Sequence, residues 1–403
     1  MDLTFVLVPI AAVIAPLLAA LVRKALVVPL VVFEIALGMA LGPAGFGLLQ
    51  DSDMLDLFSH LGLAMLFFMA GNEIDPQSVR GSSGKRALGG WVASTALAVA
   101  AAAFVADTAQ SAAIIAIALT ATALGTITPM LRDAGITHGA LGRAVSAAGA
   151  VGEFLPLVAI SVFLSGRAPI AGTISLVIFV AVAALTFFVS NRGQRRWLQR
   201  MVSATLRTSG QFAIRFVILL LAALVTLAVL LGIDYLLGAF TAGMLARVVL
   251  RDGDPAEQEV VEAKLESIAF GFFVPIFFVA TGATFPLQQL FADRHALLLV
   301  PVFAVIMLIV RGLPAFLLAP RGSSLSDRRT VALFTATTLP LVIAVTSIGT
   351  SAGVLDESTS AALVGGGMLT VLLFPMLGLI GRSPAPTPNI TAADDNTALP
   401  AHE

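Results

Sequence analysis

The sequence predicts an all-α polytopic membrane protein with about thirteen transmembrane helices, built as inverted repeats with two broken, crossing helices. Three observations predict this class. Hydrophobic residues make up 58% of the 403 residues and charged residues only 12%, whereas soluble domains carry about 25% charged residues. The apolar residues form long runs separated by loops of alternating basic content. One polar motif recurs in two runs of opposite direction, as in inverted-repeat transporters.

Each transmembrane helix is predicted from an apolar run long enough to cross the hydrocarbon core, which takes about 17–25 residues. Thirteen runs can be marked off, of which the ninth is the shortest. The first run lacks the basic cluster and cleavage site of a signal peptide, so we expect it to be retained. The predicted spans are 4–22, 26–42, 55–72, 87–106, 111–131, 141–164, 169–190, 212–232, 234–249, 264–283, 296–319, 329–349 and 357–381.

The distribution of Lys and Arg predicts the orientation, because cytoplasmic loops carry an excess of these residues. Basic residues follow the odd-numbered spans, and the alternate loops hold few. Odd-numbered spans are therefore expected to end in the cytoplasm, with the N-terminus outside and the C-terminus inside. The basic residues concerned are Arg23, Lys24, Arg80, Lys85, Arg86, Arg132, Arg143, the five Arg of 192–207, Arg247, Arg251, Arg321, Arg328 and Arg329.

Composition also excludes several kinds of site. The net charge is −1, so the chain offers no broad basic surface for nucleic acid. There is no Cys, which excludes disulfides and thiolate metal ligands. The four His, at 60, 138, 295 and 402, are scattered, which argues against a His-built metal centre. No resident cofactor is expected.

A short polar motif occurs in both the fifth and the twelfth spans. The fifth contains Thr-Ala-Thr-Ala-Leu at 120–124, and the twelfth contains Thr-Ala-Thr-Thr-Leu-Pro at 335–340. The two spans run in opposite directions, which favours broken helices that cross at the membrane midplane. The alternative is a pair of kinked helices whose Thr hydroxyls bond back to their own backbone. The predicted break residues are Gly125 and Pro129 in the fifth span and Thr337, Thr338 and Pro340 in the twelfth.

Glu153 is the sole ionisable side chain in the apolar run 144–163. A carboxylate at that depth costs roughly 2.5–3.5 kcal/mol on insertion scales, so it indicates a function. Gly149 and Gly152 allow another backbone to approach, and Pro156 frees a backbone acceptor. Such a group can take a proton or a cation but not both, which is the competition that antiport needs. The alternative is a protonated Glu that hydrogen-bonds to a neighbouring helix.

Three further charged residues fall within predicted spans or at their ends. Arg311 lies deep in the eleventh span and is interpreted as a fixed positive charge that faces the broken helices or pairs with Glu153; snorkelling to the interface is the alternative. Glu34, in the second span, and Glu73, at the cytoplasmic end of the third, are candidates for an accessory role. Their structural alternatives are a hydrogen bond between helices for Glu34 and an interfacial position for Glu73.

Four segments resemble motifs of the monovalent cation/proton antiporter superfamily, and within it those of bacterial members with thirteen helices. The segments occur in the family order on the corresponding spans, and the similarity extends to about residue 381. They are 29–43 with Glu-Ile at 34–35 and Leu-Gly-Pro at 41–43, 62–75 with Gly-Asn-Glu-Ile-Asp at its end, Leu-Gly-Ala-Phe-Thr-Ala-Gly at 237–243, and Pro-Ile-Phe-Phe-Val-Ala-Thr-Gly at 275–282.

The resemblance implies a protein of the bacterial inner membrane, a homodimer of two-domain subunits that works by an elevator motion. It implies dimerisation helices in 1–86 and 212–294, a moving ion-binding core in 87–164 and 295–381, and a linker helix with a basic loop in 165–211. The tail, 382–403, is polar and is expected to be disordered.

The resemblance also implies site residues, with one departure from the family pattern. The family's carboxylate on the sixth helix matches Glu153, its hydroxyl ligand matches Thr122 and its basic residue matches Arg311. Many relatives carry two adjacent side chains, Asp-Asp or Asn-Asp, where this chain has Gly152-Glu153. One carboxylate favours electroneutral exchange. The candidate cation- and proton-binding residues are Glu153, Thr122, Gly152 and Thr120, and Glu153 and Thr122 are the predicted metal-ion ligands.

The sequence therefore predicts a secondary transporter, not an enzyme, that exchanges a monovalent cation for H⁺ across the bilayer. Na⁺ is the expected cation, with K⁺ and Li⁺ as alternatives that also prefer hard oxygen ligands. A sodium-coupled symporter of an organic anion and a cation channel or sensor remain open. An intramembrane protease is disfavoured, because no His lies in the middle of a span.

Overall fold

The computed structural model describes residues 4–22, 28–50, 52–74, 81–136, 139–164, 169–192, 201, 204–205, 211–250 and 255–380. Its regular structure in these residues is helical throughout. The predicted tail 382–403 and most of the basic loop 191–211 lie outside the described residues. In chain order the helices are α1 (Thr4–Val22), α2 (Leu30–Leu41), α3 (Asp53–Glu73), α4 (Gly81–Val105), α5 (Ala109–Leu119), α6 (Leu124–Asp133), α7 (Gly139–Phe163), α8 (Pro169–Arg192), α9 (Phe212–Leu230), α10 (Tyr235–Leu250), α11 (Pro255–Ile268), α12 (Val274–Ala283), α13 (Leu287–Ala292), α14 (Arg294–Met307), α15 (Leu313–Leu317), α16 (Leu325–Ala336), α17 (Pro340–Ser351) and α18 (Glu357–Leu379).

The thirteen predicted spans each correspond to one helix or to two helices in line. Within the described residues, nine helical segments are long and apolar enough to cross a membrane, and four shorter apolar helices complete the set. The predicted boundaries are wrong at two places: the fourth span begins at Gly81, and the tenth begins at Pro255 with the charged helix α11. The short helix α13 was not predicted. The fold class is confirmed.

Two spans are interrupted near their middle. The fifth is split into α5 and α6 by the non-helical residues 120–123, and the twelfth into α16 and α17 by 337–339. Pro340 starts α17 as predicted, since Pro suits the first position of a helix. Gly125 and Pro129 do not form the first break; both lie inside α6, because the polar segment before them leaves the helix first. The interruptions leave unpaired backbone groups at the centre of the protein.

Close helix pairs form one half of the structure, here called the paired bundle (α1–α3 and α9–α12). Along α3 and α10, a Cβ at Gly71 would overlap the Phe240 carbonyl oxygen, and one at Gly243 would overlap that of Phe68. Glycine at these positions lets the two backbones touch, as small residues do between membrane helices.

The same contact recurs between α2 and α12. There Gly38 meets the Val279 carbonyl and Gly282 meets that of Ile35. In each case the glycine of one helix faces the residue three positions before the glycine of the other. The second span (α2) thus contacts the tenth (α12) in the same way as the ninth span (α10) contacts the third (α3). This exchange of first-half and second-half helices is what an inverted repeat produces.

The other half, here called the crossing bundle (α4–α7 and α14–α18), surrounds the two interrupted spans. Helix α5 packs against α4 and α17, while α7 packs against α4 and α16. The apolar windows of 109–128 and 325–351 have 78% and 83% of their residues buried, the highest values among the nine long segments of the described chain. Non-helical backbone at this depth is tolerated because protein, not lipid, surrounds it.

Candidate ion-binding site

The interrupted segments meet through backbone hydrogen bonds. The Ala123 N–H donates to the Thr337 carbonyl oxygen at 3.0 Å, which joins the two breaks directly. The Thr122 N–H donates to the Gly152 carbonyl oxygen, also at 3.0 Å, which joins the first break to α7. Thr370 of α18 supports the second break, since its hydroxyl lies 3.1 Å from the Thr338 nitrogen and 2.9 Å from the Thr338 oxygen. These bonds use backbone groups that the breaks leave unpaired.

Glu153 lies on α7 beside this crossing and is 2% exposed. Its Oε2 atom accepts a hydrogen bond from the Leu124 N–H at 3.2 Å. Leu124 is the first residue of α6, so the carboxyl group sits at the N-terminus of a half-helix. The partial positive charge there favours an anion. One oxygen of this carboxyl group therefore accepts from the backbone at the N-terminus of the half-helix.

Arg311 reaches the crossing from the other side. It lies in a π-helical turn, Leu308–Gly312, and is 2% exposed. Its Nη2 and Nε atoms donate to the Thr122 hydroxyl oxygen at 2.6 and 3.0 Å, and Nη2 also donates to the Ala148 carbonyl oxygen at 3.1 Å. Ser94 of α4 lies 3.5 Å from Nη1. Because these contacts hold the guanidinium in the interior, the snorkelling alternative is wrong in this structure.

Thr122 is fully occupied in this conformation. Its hydroxyl accepts from two nitrogens of Arg311 and donates to the Thr335 carbonyl oxygen at 2.7 Å. A cation could coordinate this oxygen only after the guanidinium withdrew. The resemblance predicted a cation ligand at this position, and the observed contacts add another task, which is to position Arg311.

Gly152 makes room for the guanidinium. A Cβ at this position would overlap Arg311 Nη2 and lie 2.7 Å from the Thr122 hydroxyl oxygen. An Asp or Asn side chain at this position would not fit beside Arg311 in this arrangement. Gly152 is the position at which this chain lacks the first side chain of the paired motif. The Arg311 guanidinium fills the volume that such a side chain would take.

Arg311 and Glu153 do not pair directly here. Among the described residues, the single ion pair within 4.0 Å is Arg132–Glu266, near one end of the bundle. The sequence interpretation allowed either a salt bridge or a fixed charge facing the broken helices, and the contacts of Arg311 match the second.

The remaining polar residues of the motif divide into two groups. The Thr120 and Thr337 hydroxyls bond back to carbonyl oxygens of their own helices, Ile117 and Leu333, as the kinked-helix alternative proposed. The Thr335 and Thr338 hydroxyl oxygens are buried and, among the described residues, have no hydrogen-bond partner. Sequence analysis assigned no role to Ser94 or Thr370, because a Ser or Thr within an apolar helix carries no local signal of its partner.

The two accessory candidates have different surroundings. Glu34 is buried on α2, which packs mainly against α1 and α12 of the paired bundle. Glu73 lies at the end of α3, which packs against α6, and its Oε2 atom is buried without a hydrogen-bond partner among the described residues. The structure therefore brings Glu73 towards the site and leaves Glu34 in helix packing.

Openings lie at both ends of the bundle. At the end that carries Arg86 and Arg132, here called the basic end, a small cleft reaches Arg311, Ser94 and Thr335. At the opposite end, here called the acidic end, a cavity of about 670 Å³ separates the two bundles. Asp56, Asp234 and Glu357 line it, and its lining does not include Glu153.

Comparison with known proteins places these features in a family. A family model described as "Sodium/hydrogen exchanger, transmembrane" matches residues 10–378. The chain is 29% identical over 383 residues to the putative Na(+)/H(+) antiporter YjbQ of Bacillus subtilis, covering 90% of this chain and 60% of that protein's length. It is 26% identical over 369 residues to the Na(+)/H(+)-K(+) antiporter GerN of Bacillus cereus, covering 86% and 88%.

A solved structure shares the fold. The sodium proton antiporter MjNhaP1 of Methanocaldococcus jannaschii superimposes with a TM-score of 0.64, covering 94% of this chain and 97% of that chain at 14% identity. At this identity the likeness shows the fold alone.

Proposed function

The chain belongs to the sodium/hydrogen exchanger family, and from this premise we propose that it exchanges a monovalent cation, with Na⁺ the first candidate, for H⁺. One observation carries the proposal: a single buried carboxyl group, Glu153, ends at the N-terminus of half-helix α6 where two interrupted spans cross. Na⁺, K⁺ and Li⁺ all take oxygen ligands, so the choice among them is left to the flux assay.

Exchange follows from competition at the Glu153 carboxyl group. A proton on one of its oxygens removes the charge that attracts a cation, and a bound cation displaces the proton. The Leu124 N–H is a hydrogen-bond donor for the carboxylate once a proton leaves. The Thr335 and Thr338 hydroxyls, which lack partners among the described residues, offer oxygen atoms near the crossing.

Arg311 is proposed as the permanent counter-charge of the site. Bonds to Thr122 and to the Ala148 carbonyl hold the guanidinium in place, and Gly152 leaves the space for it. With one exchangeable carboxyl group at the crossing, each cycle carries one cation one way and one proton the other. The proposed exchange is therefore electroneutral.

Alternating access is proposed to come from movement of the crossing bundle against the paired bundle. The glycine contacts of the paired bundle support a rigid scaffold, and that bundle is the proposed dimerisation unit. Phe154, next to Glu153, stacks on Phe240 of α10 with ring centroids 5.8 Å apart. This contact lies between the bundles and would have to slide when the site changes sides. The basic end is proposed to face the cytoplasm.

The test is proton flux in proteoliposomes with a pH dye inside, on adding Na⁺, K⁺ or Li⁺ to an imposed pH gradient. Wild type should collapse the gradient, and the ion that works identifies the substrate. E153Q should be inactive with every cation, while E153D should keep part of the activity. The matched control is E34Q, which also removes a carboxyl group buried in an apolar helix and should stay active.

Two results would contradict the proposal. If wild type moves no protons with any cation between about pH 6 and 9, Glu153 does not serve cation/proton exchange. If E153Q keeps wild-type flux, the exchange site lies elsewhere. Organic-anion uptake driven by Na⁺ without proton movement would favour the symporter.

A further inference from the structure

Arg311 is a buried cation that no carboxylate contacts within the described part of the chain. It is 2% exposed, and the single ion pair within 4.0 Å found there lies elsewhere. A guanidinium has five N–H groups, and the structure gives this one four contacts, two to Thr122 and one each to Ala148 and Ser94. The Ser94 contact is made by Nη1 and is 3.5 Å long. A buried charge without a partner is costly, and Nη1 has donor capacity left.

The cleft at the basic end leads to this guanidinium. Arg86 is half-buried in the first turns of α4, and Ser94 is fully buried on the same helix. Both line the cleft, and Ser94 lies about 12 Å further along the helix axis at 1.5 Å per residue. Thr335 of α16 also lines the cleft, and its buried hydroxyl oxygen has no partner among the described residues. The cleft thus has one Arg towards its mouth and a second, Arg311, at its base.

The charges and donors of the cleft favour an anion. Among the described residues that line it, two are Arg and none is Asp or Glu. Walls that carry one sign of charge raise the local concentration of counter-ions. The Ser94 hydroxyl accepts from Nη1 and still has its own proton to donate, and the Thr335 hydroxyl can give its proton to an anion as well as its oxygen to a cation. Hydrogen bonds from these groups and from Nη1 to an anion would be charge-assisted.

The size of the cleft limits which anion can enter. Its volume is about 30 Å³, and a single water needs about 10–15 Å³. A monatomic ion fits this space, whereas an organic anion does not.

We propose that this cleft binds a small monovalent anion of the size of chloride, held by Nη1 of Arg311 and by the hydroxyls of Ser94 and Thr335. Arg86 draws the ion in from the basic end. The helices that line the cleft are α4, α7, α15 and α16, all of the crossing bundle, so the site is separate from the cavity between the two bundles. The bound anion supplies the negative charge that Arg311 lacks in its own surroundings. This site is additional to the proposed exchange of cation and proton.

Chloride NMR of purified wild-type protein in a non-ionic detergent measures this binding, because exchange with a protein site broadens the chloride line. The counter-cation is N-methyl-D-glucamine, so that no alkali cation is present, and gluconate keeps the ionic strength constant. Wild type should broaden the line in a saturable manner. Bromide should compete with chloride, and gluconate, which is too large for the cleft, should not.

Two pairs of variants locate the site. Ser94→Ala should weaken chloride binding about fivefold through loss of one hydrogen bond. Its control is Thr95→Val, which removes a hydroxyl that donates to the Trp91 carbonyl oxygen and should bind as wild type does. Arg86→Gln should weaken binding about threefold, as expected for one partly exposed charge. Its control is Lys85→Gln, which removes an exposed charge one residue away, outside the cleft lining, and should change nothing.

The proposal fails if wild type shows no saturable broadening, since the cleft would then hold water alone. It also fails if each variant binds chloride as its control does, because the ion would then bind elsewhere. Sulfate that competes as well as bromide would show that the cleft takes an oxyanion and that the size argument is wrong. If Ser94→Ala is not produced, the Arg86 and Lys85 pair decides. The NMR assay needs no exchange activity, so a failure of the proposed function would be seen separately, in the flux assay.

Discussion

Gly152→Ala tests whether the guanidinium of Arg311 is held in the space beside α7. The added methyl group would overlap Nη2 and approach the Thr122 hydroxyl to 2.7 Å. Arg311 would have to withdraw and lose one or both hydrogen bonds to Thr122. Hydrogen bonds to charged groups contribute about 1.5–3 kcal/mol each, so the free energy of unfolding should fall by about 2–4 kcal/mol.

The same substitution three residues earlier provides the control. A Cβ at Gly149 would also meet an atom at 2.7 Å, but that atom is the far end of the flexible Leu124 side chain. Gly149→Ala should therefore cost about 1 kcal/mol or less. The assay is thermal and denaturant unfolding of purified protein, followed by proton flux of the same samples in proteoliposomes.

Exchange should fall together with stability in Gly152→Ala. A misplaced counter-charge that raises the activation free energy of exchange by about 1.4 kcal/mol reduces the rate tenfold. We expect at least that loss of rate. If Gly152→Ala is as stable and as active as Gly149→Ala, the guanidinium does not depend on the space at Gly152. The role assigned here to the Gly152–Arg311 contact would then be wrong.

Two further predictions concern the scaffold and a helix cap. Gly71→Ala would press a methyl group into a backbone carbonyl of α10, so it should lower the free energy of unfolding by about 1–3 kcal/mol or more. In the control Gly271→Ala the methyl group enters open space, and the same unfolding assay should show no loss. Equal stabilities of the two variants would refute the close packing. Burial raises the pKa of Asp356, but hydrogen bonds from Ser358 and Thr359 outweigh it, so the pKa lies below its ordinary value. The cap therefore stabilises the fold above that ordinary value and loses its effect as pH falls through the lowered pKa. D356A should lower the melting temperature at pH 7, and its difference from wild type should shrink as the pH falls below the ordinary value of an Asp. A pH-independent difference would contradict this.

Local signals in the sequence were sufficient to predict the spans and to single out two charged residues within them. Apolar length predicted thirteen membrane segments because a helix must cover the hydrocarbon core, whatever its neighbours are. The same physics singled out Glu153 and Arg311, since a charge within an apolar run is conspicuous at any position in a fold. Prolines and glycines were less reliable: Pro340 begins a helix as expected, but Gly125 and Pro129 lie inside α6.

Partners across the structure could not be predicted in the same way. Thr122 stays a predicted cation ligand, and no local signal indicated that its hydroxyl would also accept from Arg311, 189 residues away in the sequence. The space at Gly152 is defined by that same guanidinium. Glu34 and Glu73 were both accessory candidates, and only packing placed the first between α1 and α12 and the second at the end of α3, beside α6.

The sequence by itself determined that this chain is a thirteen-span membrane protein of inverted-repeat design with one deeply placed carboxyl group. Hydropathy and charge act residue by residue, so they can be read without coordinates. Only the tertiary structure decided which oxygen accepts from which N–H group, because a hydrogen bond near 3 Å depends on how distant segments pack. In this protein that packing places the Arg311 guanidinium on the Thr122 hydroxyl and the Glu153 carboxyl group on the Leu124 N–H at the start of α6. It also places Glu73, at the end of α3, beside α6.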